Sequence, residues 1–213
     1  MFTTITSLFF SFLPGLYRPH FNASITKTPP SPYRTVTGWL GIGLLVTGLF
    51  AGCADHRDLP RSAATVNLIN ASGQIGVAEL TEDSQGVVSL TVTVSGLPAG
   101  AHGIHFHAVG AAQPTDTPAF NSSGAHYNPA SHQHGLKNPM GTHAGDLPNL
   151  IVDSQGNGVL VTTTNRISLT DGPITLFDSN GSSLIIHANE DDQVTDPTGN
   201  SGGRIAGGVI VRK

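Results

Sequence analysis

A chain of 213 residues with 38% hydrophobic and 11% charged residues holds one ordinary domain plus an extension, and its apolar content is enough for a core, which excludes wholesale disorder. Its formal charge of -4, from 10 Lys+Arg against 14 Asp+Glu, provides no basic field for a nucleic-acid partner. With 26 Gly and 14 Pro but few aromatics, the composition suits short strands joined by many turns, and an all-β domain is expected.

The N-terminal part reads differently from the rest. Trp39 to Ala51 is an uncharged apolar run after Arg34. It is short of the roughly 20 residues a membrane span needs, but has the size of the apolar region of a secretory signal. Ala51-Gly52 before Cys53 supplies small residues at a cleavage point. The segment resembles a bacterial lipoprotein signal, with Phe50 where a leucine is usual and Cys53 as the lipidated new N-terminus. Removing residues 1–52 takes away Arg18, Lys27 and Arg34 but no acid, so 7 Lys+Arg remain against 14 Asp+Glu, a net charge of -7. Cys53 is the only cysteine, so no intrachain disulfide can form. Residues 53–63 are polar and aperiodic and are expected to tether the anchor to a domain at 64–213. The expected location is the bacterial envelope or periplasm, with attachment to a membrane through the lipid alone.

Strand signals begin with 65–69 and 74–80, a hairpin around Asn70-Ala71-Ser72-Gly73. Residues 87–95 alternate apolar and polar side chains as a half-buried strand does. Next comes Gly100 to His107, where three of the ten histidines fall within six residues. On a strand, residues two apart share a face, so His105 and His107 aim two imidazoles at one point while Phe106 turns into packing. Two converging imidazoles are half of a copper or zinc site. No comparable strand pattern returns until Leu147, and the intervening stretch carries His126, His132, His134 and His143 and ends at Asp146. Loops of that length are functional or disordered, and metal coordination would give this one its shape. Further strands are expected at 150–152, 159–163, 174–177, 183–187 and 204–211, with a second long loop over 188–203 that is acidic at Glu190, Asp191 and Asp192. About eight short strands without a long helix indicate a β-sandwich or barrel.

Between Ala64 and Arg212 stand, in order, His102-Gly-Ile-His105-Phe-His107, Gly124-Ala-His126-Tyr-Asn-Pro129, His134-Gly135, His143-Ala-Gly-Asp146-Leu, Ile186-His187 with Asp191-Asp192, and Thr198-Gly-Asn-Ser-Gly-Gly-Arg204. Through these motifs the sequence resembles the copper/zinc superoxide dismutases. Each motif alone is weak, but all of them in the family's order are specific. The resemblance implies an immunoglobulin-like, Greek-key β-sandwich or barrel of about eight antiparallel strands with two long functional loops. It also implies copper on His105, His107, His126 and His187, and zinc on His126, His134, His143 and Asp146, with His126 shared. The donor sets agree with coordination chemistry, because four imidazoles suit Cu(II), and three with a carboxylate suit tetrahedral zinc. The implied reaction turns superoxide into dioxygen and hydrogen peroxide by alternating Cu(II) and Cu(I), with His126 as a proton store. Arg204 would orient the anion, Asp191 would hydrogen-bond His105 and His134, and His102 would be a framework residue. His132 has no counterpart among the ligands.

Two departures stand out. Phe120 and Gly207 occupy the positions of the family's disulfide cysteines, so either Phe120 packs against the barrel in its place or the loop leans more on zinc; packing is the expectation. The 188–203 loop also has no lysine, so Arg204 and the metals would attract superoxide alone, which implies a slower or less salt-sensitive dismutase. The competing function is metal storage in the envelope with the same ligands and no turnover. The expected partners are superoxide and, through Cys53, a membrane; a homodimer is left open, because composition does not identify subunit contacts.

Overall fold

Val88, Leu90, Val92 and Val94 are buried while Ser89, Thr91 and Thr93 are exposed along strand β3, Val88–Val94, and this two-residue period is the rule from which the fold is built. The computed structural model describes residues 61–213, all within a unit running from Cys53 to Lys213. The leader 1–52, Cys53 and the tether as far as residue 60 lie outside the described residues. Strand β1 spans Ser62–Asn70, so Ser62 and Ala63, read from sequence as the end of the tether, are already paired, with Glu82 and Thr81. Strand β2 spans Gly73–Glu82 and completes the expected hairpin, whose turn is held by the Ser72 N–H on Asn70 Oδ1 at 2.8 Å.

The remaining strands are β4 (Gly100–His102), β5 (Ile104–His107), β6 (Leu150–Val152), β7 (Gly158–Thr164), β8 (Ser183–His187) and β9 (Arg204–Arg212). They form one antiparallel sheet in the order β4-β6-β7-β3-β2-β1-β9-β8-β5. Its two end strands, β4 and β5, are consecutive in the chain and separated by Gly103 alone, so the sheet curls into a nearly closed barrel. His102 fastens this seam, with Nδ1 2.8 Å from the His187 carbonyl and Nε2 2.9 Å from that of Pro98. The connection from β3 to β4 skips over β6 and β7, a Greek-key crossing.

The count is nine rather than about eight because Gly103 divides the histidine strand. The expected strand at 174–177 does not form: Thr175 makes one isolated bridge to Ser168, and Leu176 is simply buried. The reason lies in the edges. The outer edge of β5 is already taken by loop backbone, with the Phe106 N–H on Gly145 O at 2.9 Å and the Tyr127 N–H on Phe106 O at 2.8 Å. The Thr175 carbonyl instead accepts the Tyr127 hydroxyl at 2.8 Å.

Between β5 and β6 the only helical piece among the described residues is a 3-10 turn at Asn121–Ser123. This loop and the 188–203 loop cover the outside of β5 and β8, so both strands are buried on both faces. The main core fills the barrel with side chains such as Leu68, Leu90, Ile104, Phe106, Leu184 and Ile186. A separate cluster of Phe120, Ala112 and Ile185 lies on its outside.

Candidate metal centre

Alternation on β5 sends Ile104 and Phe106 into the barrel and His105 and His107 outward, and all four are fully buried. Across the strand pair His105 faces Ile185 and His107 faces Ser183, so His187, two residues past Ile185, returns to the same outer face. His187 in turn pairs with Arg204 on β9. The long loop is stitched to the edge of β5 by single bridges between His105 and Asp146 and between His107 and His126. Backbone pairing is therefore what brings His126 and Asp146 to the two β5 histidines.

His105 Nδ1 and the Nε2 atoms of His107, His126 and His187 are buried without a hydrogen-bond partner. Ligand atoms of these four residues lie within 4.8 Å of one another. On three of the rings the second nitrogen donates its proton outward: His105 Nε2 to Asp191 Oδ2 at 2.8 Å, His107 Nδ1 to Gly124 O at 3.0 Å, and His187 Nδ1 to Gly202 O at 3.2 Å. Each ring thus turns a bare lone pair inward, and four buried, unpaired acceptors are costly unless a cation takes them. Burial is the largest influence on all four and keeps them neutral, lowering His126 to about 4 and His187 to about 3, with His105 also lowered and His107 well below its usual value. Neutral imidazole is the form a metal binds.

On the other side of His126 three Nδ1 atoms surround one carboxylate oxygen. Asp146 Oδ1 lies 3.3 Å from His126 Nδ1, 2.9 Å from His134 Nδ1 and 3.4 Å from His143 Nδ1, and the Nδ1 atoms of His126 and His143 are 3.4 Å apart. Tetrahedral zinc with bonds of about 2.0–2.1 Å separates its ligand atoms by about 3.4 Å, so the donors stand near the spacing the ion requires. A set of ligand atoms within 4.8 Å of one another is also drawn from His105, His126, His134 and Asp146. His105 Nε2 is committed to Asp191, whereas His143 Nδ1 is close to both Asp146 and His126, and His143 is the better fourth member. Burial opposes ionisation of Asp146, but hydrogen bonds from His126, His134, His143 and the Gly135 N–H outweigh it and hold the carboxyl well below the usual range. His126 belongs to both groups, presenting Nε2 to one and Nδ1 to the other.

Asp191 stands between the groups, accepting from His105 on Oδ2 and from His134 Nε2 on Oδ1 at 3.0 Å. Gly199 crosses here with φ at 61°, and a Cβ on it would fall inside the Asp191 carboxylate. Arg204 is half-buried and splayed over the 3-10 turn, its Nη1 donating to Phe120 O at 2.7 Å and Ser123 Oγ at 3.1 Å, and its Nη2 to Gly124 O at 2.6 Å. The guanidinium lines a cavity of ≈ 760 Å³ together with His126, His143, His187, His132 and Asp196. His132 is exposed and donates from Nδ1 to Thr142 O at 3.2 Å, whereas His102 sits at the barrel seam, outside both groups.

Four further residues shape the site. Asn149 clamps the Asp191 backbone reciprocally, donating to its carbonyl at 2.8 Å and accepting from its N–H at 2.9 Å. Arg166 holds the Asp146 carbonyl at 2.7 Å. Ser123 bridges Arg204 and His107, 3.3 Å from the latter's Nδ1, and Asp196 accepts the His134 N–H at 2.6 Å. They act on backbone or through one another, so no residue spacing announces them.

A nine-stranded antiparallel barrel carrying two histidine-rich donor sets on its outer face, joined by one shared imidazole, has the makings of a metalloprotein with its metal-binding groups outside the core. The chain matches the family described as copper/zinc superoxide dismutase over residues 72–210 and belongs to it. Its cofactors are accordingly copper and zinc. It is 42% identical over 150 residues to superoxide dismutase (Cu-Zn) 2 of Aquifex aeolicus, covering 69% of this chain and 85% of that one. It is 37% identical over 149 residues to the superoxide dismutase-like protein YojM of Bacillus subtilis, covering 68% and 74%. The crystal structure of a SOD-like protein from Bacillus subtilis matches with a TM-score of 0.64 at 35% identity, over 68% of this chain and 96% of that one.

Proposed function

We propose that this protein is a superoxide dismutase that converts two superoxide anions and two protons into dioxygen and hydrogen peroxide. His105, His107, His126 and His187 would hold copper through the four unpaired nitrogens, and His126, His134, His143 and Asp146 would hold zinc. When bound, copper supplies the one-electron couple that the reaction needs, and zinc supplies fixed geometry without redox chemistry.

The chain's own residues account for the rest. Arg204 is a permanent cation at the wall of the cavity into which His126 and His187 also open, where it can draw in and orient an anion. Its three hydrogen bonds to the 120–124 turn keep the guanidinium fixed, so little ordering is left for substrate to impose. His126 lines the same cavity, and its Nε2, buried without a partner, is the atom at which a proton can be held for the peroxide product. The observation that carries the reading is Arg204 lining that cavity, since metal storage has no use for an anion guide.

The test is superoxide consumption by the metal-loaded protein beside Arg204→Ala. The wild type is expected to dismutate, and the variant to lose about 10-fold or more in kcat/KM with unchanged copper and zinc content. Full metal loading without dismutation would mean storage instead.

The proposal extends to placement: export and lipidation at Cys53, supported by the apolar run at 39–51 and the Ala51-Gly52-Cys53 sequence. Cys53→Ala is expected to move the protein from the detergent phase to the aqueous phase on partitioning of cell envelopes.

A further inference from the structure

The second loop reaches the zinc-side histidines at two points, and only one of them is Asp191. Asp196 enters from beyond the acidic 190–192 stretch, and its Oδ1 accepts the backbone N–H of His134 at 2.6 Å. The same oxygen lies 3.7 Å from His143 Nε2, the ring nitrogen turned away from Asp146. The 3.7 Å approach exceeds hydrogen-bond length, so the short contact to His134 carries the connection and the approach to His143 is secondary. His134 has its Nδ1 on Asp146, its Nε2 on Asp191 and its backbone N–H on Asp196, so two carboxylates fix its ring plane and the third fixes its backbone. Asn138 adds a brace, donating to the carbonyls of both His134 and Val194, at 2.9 Å and 3.1 Å.

We propose that Asp196 is a positioning residue for the zinc-side donors, tying His134, and more weakly His143, to the 188–203 loop so that zinc binding and the order of that loop depend on each other. This rests on the dismutase reading only for the identity of the metal. Carboxylates behind ligating histidines set ring orientation, and their loss typically costs about 10- to 100-fold in metal affinity. Asp196 also lines the cavity that holds Arg204, where its carboxylate opposes the approach of an anion. The loop therefore places a substrate-repelling charge at the cavity for a reason outside substrate binding.

The test measures zinc affinity of the purified chain by competition with a chromophoric chelator, and the visible spectrum with Co(II) in place of zinc. Asp196→Ala is expected to bind zinc about 10- to 100-fold more weakly, with a shifted Co(II) spectrum. Asp196→Asn keeps an acceptor for the His134 N–H and is expected to restore affinity to within about threefold of wild type. An alanine variant with wild-type affinity and spectrum would overturn the inference. So would an asparagine variant as weak as alanine, because the hydrogen bond would then not be the route. Failure of the wild type itself to bind zinc would count against the dismutase reading and would remove the ground of this one.

Discussion

Asp191 and His134 show how far single residues are specialised here: one carboxylate serves two rings, and one ring meets two carboxylates. A neutral imidazole has one N–H, so His134 facing Asp146 on Nδ1 and Asp191 on Nε2 must carry a second proton or a metal. Burial, the largest influence on His134, lowers its pKa, but the hydrogen bonds and charges of Asp146 and Asp191 together raise it to about 9. His126 and His187 go the other way, to about 4 and about 3, because burial dominates there. In the metal-free protein these shifts act on stability with opposite signs. Below about pH 6.5 the unfolded chain binds protons that folded His126 and His187 refuse, so stability falls as pH drops toward 4 and 3. Above about pH 6.5 folded His134 keeps a proton the unfolded chain has lost, so that contribution falls as pH rises toward 9. A melting temperature measured in chelator against pH is expected to peak near pH 6.5 and decline on both sides, and a monotonic curve would contradict this. Gly199→Ala belongs to the same scale: its Cβ would displace the Asp191 carboxylate, with metal affinity expected to fall about 10- to 100-fold by chelator competition.

At the scale of elements, the contact between the long loop and β9 replaces a covalent link with packing. Phe120 is 1% exposed and packs with Ile185 and Ala112. The Ile185 side chain takes the room that Gly207 leaves, and Phe120 Cδ1 packs beside it, 3.5 Å from where a Cβ on Gly207 would stand. Phe120 holds a left-handed φ of 58°, and in that conformation its carbonyl accepts from Arg204. The expectation that Phe120 packs against the barrel matches this arrangement. Phe120→Ala is expected to cost about 3 to 5 kcal/mol in urea unfolding and to lower superoxide consumption by loosening Arg204. Gly207→Ala would push on Ile185 and on the Leu184 carbonyl, and is expected to destabilise by about 1 to 3 kcal/mol.

For the whole molecule, charge decides how substrate arrives. A net charge of -7 over residues 53–213 and a 188–203 loop without lysine leave Arg204 as the only cation among the side chains lining the cavity, with Asp196 on the same wall. Steering by a protein-wide positive field, which raises association about 10- to 1000-fold elsewhere, is not available. The rate constant is therefore expected to stay below the ceiling of about 10⁹ M⁻¹s⁻¹ and to change less than about threefold between 0.01 and 0.15 M salt. Stopped-flow decay of superoxide across that range checks this, and a steep fall with salt would refute it.

Much of this protein is legible along the chain because strand alternation and motif order are local properties. Val88 to Val94 announce their strand by period, and the histidines of the resemblance lie where residue order places them. What the sequence could not settle is which segments win an edge. The residues at 174–177 have strand character, yet Gly145 and Tyr127 pair with β5 instead. Likewise, the approach of Asp196 to His134, the clamp of Asn149 on Asp191 and the three-point hold on Arg204 run between residues tens of positions apart through backbone groups. Every residue carries those same groups, so nothing in residue identity marks which will meet; only barrel closure at Gly103 and the folding of both loops over β5 and β8 decide it.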